Sequence, residues 1–338
     1  TPRSGGNMNI YRPRPSESKS EDGIYRSQIK VIYNPFDLRR SVLEQQSYAM
    51  QDATGWFSVV SSLTNNDTSC PVFKAWKTCH YSKDVVLQNQ AKKKEEGGNQ
   101  LFDKRYARYV TIQVLEDNNH PELNGKYMFW KMPKAVWEVI NAKQSPTNPA
   151  KAAIPVMDFL FGRAIDLEVK PGPGKPGDER YTRETSYAAE LTDDPVSCVN
   201  PDMSPLLNAA QQAVLEQYID DMKKVWKEKD PATRTSLKAT VDASDNTKEL
   251  RSFYRTVVDK IKTFCPDLIA ELGYNDWSDD VKNRVQKWID IVLTGNNPAA
   301  MAPTAAASVD TGNTVSPAAE PVSAPDPMAS NDDDDLPF

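Results

Sequence analysis

Residues 105–142, RYARYVTIQVLEDNNHPELNGKYMFWKMPKAVWEVINA, decide how the rest of the chain is read. Val110, Ile112 and Val114 fall on one side of a period-two segment and Tyr109, Thr111 and Gln113 on the other. This predicts a strand with one face in a core and the other carrying aromatic and polar tips. The run from Asp117 to Gly125 is rich in Asn, Pro and Gly and predicts a wide turn. Gly125 there supplies the positive φ that returns a second strand, Lys126 to Met132, against the first. Pro133 then opens a short amphipathic helix through Val136, Trp137 and Ile140.

Lys104, Arg105, Arg108, Lys131 and Lys134 interleave with Tyr106, Tyr109, Tyr127, Phe129 and Trp130 in this region. A binder of unpaired nucleic acid needs such a mixture. Cations release counterions from phosphates, and aromatic faces stack bases at about 1–3 kcal/mol each. The same pattern also fits a half-buried hairpin whose rings pack and whose cations face water.

The chain around the hairpin has 338 residues, 39% of them hydrophobic, and a mean hydropathy of −0.63, which predicts that part of it lacks a packed core. Charge is uneven. Residues 1–190 carry 27 Lys and Arg against 22 Asp and Glu, whereas residues 191–338 carry 14 against 25. Cys70, Cys79, Cys198 and Cys265 show no disulfide framework, so free thiols in a reducing compartment are expected. No apolar run approaches a membrane span and no signal-peptide segment is evident, so a soluble, cytoplasmic protein with no membrane partner is expected.

Composition divides the chain into four parts. Residues 1–23 read as a flexible basic arm, and residues 24–193 as a β-rich domain with strands around Ile29–Tyr33, Tyr48–Leu63 and Ala164–Lys170. Residues 194–295 read as an α-helical module. Ser204-Pro205 opens its first helix, and further stripes run over about 247–264 and 278–293. Residues 296–338 read as a disordered acidic tail ending NDDDDLPF. Its terminal aromatic and carboxylate, behind Asp332, Asp333, Asp334 and Asp335, suit a pocket with a basic rim. Cys and His cluster only at Ser69–Asp84, SCPVFKAWKTCHYSKD; Phe73 occupies the place of a knuckle's second thiolate, so a helix with buried cysteines is expected there rather than zinc.

Two features carry a resemblance. The order Asp117, Pro121-Glu122, Gly125-Lys126, Phe129-Trp130, Val136-Trp137 and Ile140-Asn141-Ala142 resembles the central segment of the single-stranded DNA-binding, helix-destabilising replication proteins of T-even-like phages. The ending resembles the acidic tip of bacterial single-stranded DNA-binding proteins. The first resemblance, extending more weakly over residues 24–190, implies a five-stranded OB-fold-like barrel. It also implies a basic-aromatic strand at Arg105, Tyr106, Arg108 and Tyr109, a groove aromatic at Trp130, and a late strand with Tyr181 and Arg183. Ser69-Cys70-Pro71-Val72 is similar to the start of that family's zinc knuckle, which Phe73 interrupts, so no cofactor is expected.

The expectation is therefore an α+β protein, non-enzymatic, that coats single-stranded DNA in phage replication, recombination or repair, in the host cytoplasm and with self-association along the strand. Its DNA-binding set is Arg39, Arg40, Lys104, Arg105, Tyr106, Arg108, Tyr109, Trp130, Lys131, Tyr181 and Arg183. Asp332–Asp335 with Leu336, Pro337 and Phe338 would recruit a polymerase, helicase or nuclease. The competing reading is a virion or scaffold protein with a solvating acidic tail. Only two histidines, His80 and His120, are present, and no nucleophile elbow, P-loop or paired metal-carboxylate motif is found.

Overall fold

The hairpin read from the sequence forms from Asp103–Asp117 and Tyr127–Lys131, and the rest of the sheet is built outward from it. The computed structural model describes residues 9–175, 180–181 and 184–300. Its strands are β1 (Ile10–Tyr11), β2 (Tyr25–Ile32), β3 (Val42–Asp52), β4 (Gly55–Val60), β5 (Asp103–Asp117), β6 (Tyr127–Lys131), β7 (Ile165–Lys170) and β8 (Ser186–Leu191). The helices are α1 (Pro71–His80), α2 (Val85–Ala91), α3 (Lys134–Gln144), α4 (Ala209–Lys227), α5 (Pro231–Ala243), α6 (Asp245–Lys262), α7 (Leu268–Leu272) and α8 (Asp279–Leu293). The chain divides into two units, one of residues up to Glu44 with Ala107–Leu272, the other of Gln45–Tyr106 with residues from Gly273 onward. The division does not follow the 193/194 boundary expected from composition.

The fold is α+β with a mixed sheet. Strands follow the order β1-β6-β5-β2-β7-β8, with β3 pairing β4 and β5 off that path. The pairs β2–β5, β2–β7, β3–β4, β5–β6 and β7–β8 are antiparallel, and β1 on β6 is parallel through Ile10–Phe129 and Tyr11–Trp130. The expected closed five-stranded barrel is not what this pairing forms, because β1 and β8 end the path without meeting. Gly125 has the expected positive φ of 83°, and a Cβ there would lie 2.3 Å from the Pro201 carbonyl oxygen, so the turn admits no side chain.

In the first unit both faces of the sheet are covered. Val110, Ile112 and Val114 of β5, with Ile29, Trp130 and Leu167, pack against Val136 and Ile140 of α3. The opposite face, expected to carry exposed tips, is also closed. Ile32 and Tyr127 join one core with Leu215, Met222, Phe253 and Ile261 of α4 and α6, while Phe129 packs with Leu268 and Leu272 of α7. Gln113 and Tyr127 on that face are satisfied internally, whereas the buried Thr111 hydroxyl has no hydrogen-bond partner among the described residues. Gln113 Nε2 donates to the Val199 carbonyl at 2.8 Å, the Val199 N–H donates to Gln113 Oε1 at 3.0 Å, and the Tyr127 hydroxyl donates to the same carbonyl at 2.8 Å. The helices start at side-chain caps rather than at Ser204-Pro205: Asn208 and Gln211 make a capping box for α4, Asp230 caps α5 and Ser244 caps α6.

The arm expected over residues 1–23 is tied down in its described part, and residues 1–8 lie outside the described residues. Tyr11 is the anchor that composition obscured. It is buried, and its hydroxyl donates at 2.8 Å to Asp117 Oδ2, which also accepts from Tyr25 at 2.5 Å. Asp117 Oδ1 takes the N–H groups of Asn119 and His120, which fixes the start of the wide turn. His120 lies between Glu122 and Glu17, at 3.1 and 3.2 Å. Burial would lower its pKa, but hydrogen bonds to those carboxylates outweigh it and raise the value. Of the tail expected over 296–338, residues 296–300 are described, with Pro298 buried; the remainder lies outside the described residues.

The second unit has its own core. Tyr48, Met50 and Val59 of the β3–β4 hairpin pack with Val72, Ala75 and Cys79 of α1, with Phe102 just before β5, and with Val285, Trp288 and Val292 of α8. Arg284 of α8 clasps Asp52 through Nε–Oδ2 at 2.7 Å and Nη2–Oδ1 at 3.0 Å, with its guanidinium 4.0 Å above the Phe57 ring. The Arg284 hydrogen bonds pull the Asp52 pKa down to about 2. All four cysteines are buried free thiols, and burial raises Cys79 to about 11.

Several described residues, among them Ser27, Thr111 and Trp226, have a buried side-chain polar atom without a hydrogen-bond partner, and one such residue is a lysine. Lys30 of β2 is fully buried, and its ammonium has no hydrogen-bond partner among the described residues. Asp158 nearby takes the Tyr254 hydroxyl at 2.7 Å and the Leu160 N–H at 2.8 Å instead. Burial holds the Lys30 pKa below its ordinary value. The folded chain therefore binds fewer protons here than the unfolded chain, so stability rises with pH up to the ordinary lysine range near 10.4. Lys30→Met should raise stability at neutral pH by about 1–3 kcal/mol and flatten the rise of Tm between pH 7 and pH 10. Thermal melts across that range check it, and an unchanged slope would mean that Lys30 remains solvated.

Candidate nucleic-acid interface

Helix α1 presents two stripes. Val72, Ala75 and Cys79 recur at spacings of three and four and enter the core of the second unit, which fixes the helix in rotation. The adjacent stripe, Phe73, Trp76 and His80, has the same spacing and stands at its edge. Phe73 and Trp76 stack with centroids 5.9 Å apart and planes 10° from parallel, and Trp76 and His80 stack at 4.8 Å and 16°. Tyr81, at the helix end and 73% exposed, meets His80 edge-on at 4.7 Å. Four rings therefore form a continuous ladder along one helix.

Cations flank this ladder. Lys77 Nζ lies 4.5 Å above the Phe73 ring. Lys104 Nζ, from the first turn of β5, lies 5.8 Å from the Phe73 centroid, 5.9 Å from Trp76 and 4.8 Å from Tyr106. Lys104 and Tyr106 share one face of β5, and the Tyr106 ring is 49% exposed. Between Pro71 and Tyr106 the chain carries eight Lys and Arg against four Asp and Glu, which gives the segment a net positive charge. Such a surface offers π faces and phosphate-binding cations within a few ångströms of each other.

The residues expected to bind DNA divide in the folded chain. Lys104 and Tyr106 belong to the ladder. Arg105 is held by Asp103, with Nε and Nη2 at 2.8 and 2.7 Å from Oδ2. Arg108 pairs with Glu44 at 2.9 Å and lies 5.3 Å over the Trp137 ring. Tyr109 is half-buried against Leu43, Phe129 and Leu268, and burial raises its phenol pKa against the pull of Arg12. Trp130 corrects the expectation outright. It is 2% exposed within the sheet core, where no base can reach it. Tyr181 is also buried, with its hydroxyl filling the space that a Cβ on Gly23 would occupy. Lys131 pairs with Tyr109 across the hairpin, and Arg39 and Arg40 lie on an exposed turn taken up below. Arg183, Asp332, Asp333, Asp334, Asp335, Leu336, Pro337 and Phe338 lie outside the described residues.

Phe73, Trp76, Lys77, His80 and Tyr81 were not in the expected set, although their helical spacing was visible. The segment was expected to be a helix with buried cysteines, and it is one, but that reading assigned no role to its rings. Among the described residues no group of three or more His, Cys, Asp or Glu is placed to hold a metal ion, and no described helix is long and apolar enough to cross a membrane. Comparison with known protein families and with curated proteins finds no match.

Burial separates the structural aromatics from those available to a ligand. Trp130→Ala should cost about 3–5 kcal/mol in urea denaturation, whereas Tyr81→Ala should stay within about 0.5 kcal/mol. A small loss for Trp130→Ala would show that the sheet core tolerates its removal and that its burial is not what holds the hairpin.

Proposed function

We propose that this protein binds single-stranded DNA without strong sequence preference, coats and protects it, and does so without catalysing a reaction. The observation that carries the reading is the Phe73–Trp76–His80 ladder with Lys77 and Lys104 set against its rings. Every base has a π face, so stacking on such a ladder tolerates any sequence, while the lysines neutralise phosphates along the same path. Binding of this kind favours the open strand over the duplex by mass action.

The resemblance to helix-destabilising phage proteins supports the same reading, with the site moved. In place of a groove over Tyr109 and Trp130, the contact surface is Tyr106, Lys104 and helix α1 of the second unit. The reading needs no closed five-stranded barrel, because the ladder is assembled from one helix and the start of one strand. Recruitment of a polymerase, helicase or nuclease through Leu336–Phe338 belongs to the same proposal.

Fluorescence titration with poly-dT tests it. Oligonucleotide should quench tryptophan emission, with affinity falling steeply as salt rises. Trp76→Ala and Tyr81→Ala should each weaken binding by about 1–3 kcal/mol, and Lys104→Ala should shrink the salt slope by about 0.7. Tyr81→Ala is the safer variant, since that ring is mostly solvent-exposed. Full affinity in Trp76→Ala, Tyr81→Ala and Lys104→Ala together would remove the ladder as the site, and absence of quenching in the unaltered protein would favour a scaffold.

A further inference from the structure

The segment NPFDLRRS, Asn34–Ser41, joins β2 to β3 and displays two large apolar side chains on a turn whose backbone is fixed from beneath. Phe36 is 43% and Leu38 53% exposed, although Asn34 and Ser41 at the base are buried. Asn34 organises the loop. Its N–H donates to Ser41 Oγ at 3.0 Å, its Oδ1 accepts from the Phe36 N–H at 3.1 Å, and its Nδ2 donates to the Arg40 carbonyl at 3.4 Å. Ser41 Oγ in turn donates to the Leu38 carbonyl at 2.9 Å, and Asp37 caps the short 3-10 turn through the Arg39 N–H at 3.1 Å. A loop free to bend would fold its apolar side chains back onto the protein. This one holds them outward, with Arg39 and Arg40 exposed immediately behind.

We infer that this tip is a wedge that enters the junction between paired and unpaired DNA, with Phe36 and Leu38 displacing the terminal base pair and Arg39 and Arg40 engaging the flanking phosphates. The inference rests on the single-strand reading above and adds an activity to it: active parting of a duplex end rather than capture of strands already open. Its chemistry differs from that of the ladder. Leucine has no π face, so a Phe-x-Leu pair is ill suited to stacking successive bases but suited to intruding between base-pair steps, as apolar wedges of architectural proteins do. The paired arginines favour a polyanion over an apolar protein surface, and the hydrogen-bonded base lowers the entropy lost on insertion.

A forked duplex with a fluorophore and quencher at its paired end tests this with the full chain, alongside poly-dT binding by the same preparations. Phe36→Ala/Leu38→Ala should cut the rate of fork opening about tenfold while leaving poly-dT affinity within about twofold and Tm unchanged, because neither side chain is buried. Asn34→Ala, which keeps both wedge residues but frees their backbone, should also slow opening. Fork opening at the normal rate in the double variant overturns the wedge while leaving the ladder reading intact. Failure of the unaltered protein to bind poly-dT overturns both. A third arm uses anionic phospholipid vesicles: association that the double variant loses, without any change at the fork, assigns the tip to a membrane surface instead and overturns the wedge.

Discussion

The arrangement depends on a single constraint, the burial of β5 on both faces over its second half. From Val110 to Leu115 each residue of β5 is buried, alternate side chains entering the α3 side and the helical side of the sheet. A strand closed in this way cannot serve as a binding surface, however many aromatics and cations its sequence contains. Its opening residues, Asp103–Tyr106, belong to the second unit, and there Lys104 stands against the Trp76 ring of α1 and against Tyr106. The position along one strand thus decides which side chains hold the fold and which can meet a ligand.

Much of the scaffold was legible from local pattern. The hairpin, the positive φ at Gly125, α3, and helices near 245–262 and 279–293 all follow from periods and turn residues. The covered second face was not. Thr111 and Gln113 alternate with apolar residues in the way an exposed face does, yet both are buried beneath elements from far along the chain, and the backbone at Val199 pairs with Gln113. Local polarity carries no trace of such a long-range partner. Tyr11 escaped for a similar reason: a lone aromatic among Pro, Arg and Ser reads as unanchored until Asp117 is placed beneath its hydroxyl.

The proposed site was half legible. Basic-plus-aromatic composition led to Lys104 and Tyr106, but the same rule chose Trp130 and Tyr181, which pack inward. Composition cannot separate a ring that stabilises a sheet from one that offers its face to solvent. Helical phase can. On α1 the Val72, Ala75 and Cys79 stripe defines the inner face, so the Phe73, Trp76 and His80 stripe one step round the helix must lie at its border. The cysteines that suggested a metal are the buried anchors that hold the rings in place.

The ladder and the Asn34–Ser41 tip, though chemically different, solve the same problem. An exposed aromatic or apolar side chain binds weakly if it must first be ordered, since each rotamer-rich side chain costs about 0.5–1.5 kcal/mol on being immobilised. On α1 that cost is met in folding, by a packed inner stripe and by ring-on-ring stacking. In the tip it is met by a buried asparagine and serine that satisfy backbone groups from within. In both places, residues buried beneath the display determine how firmly the displayed ones are held.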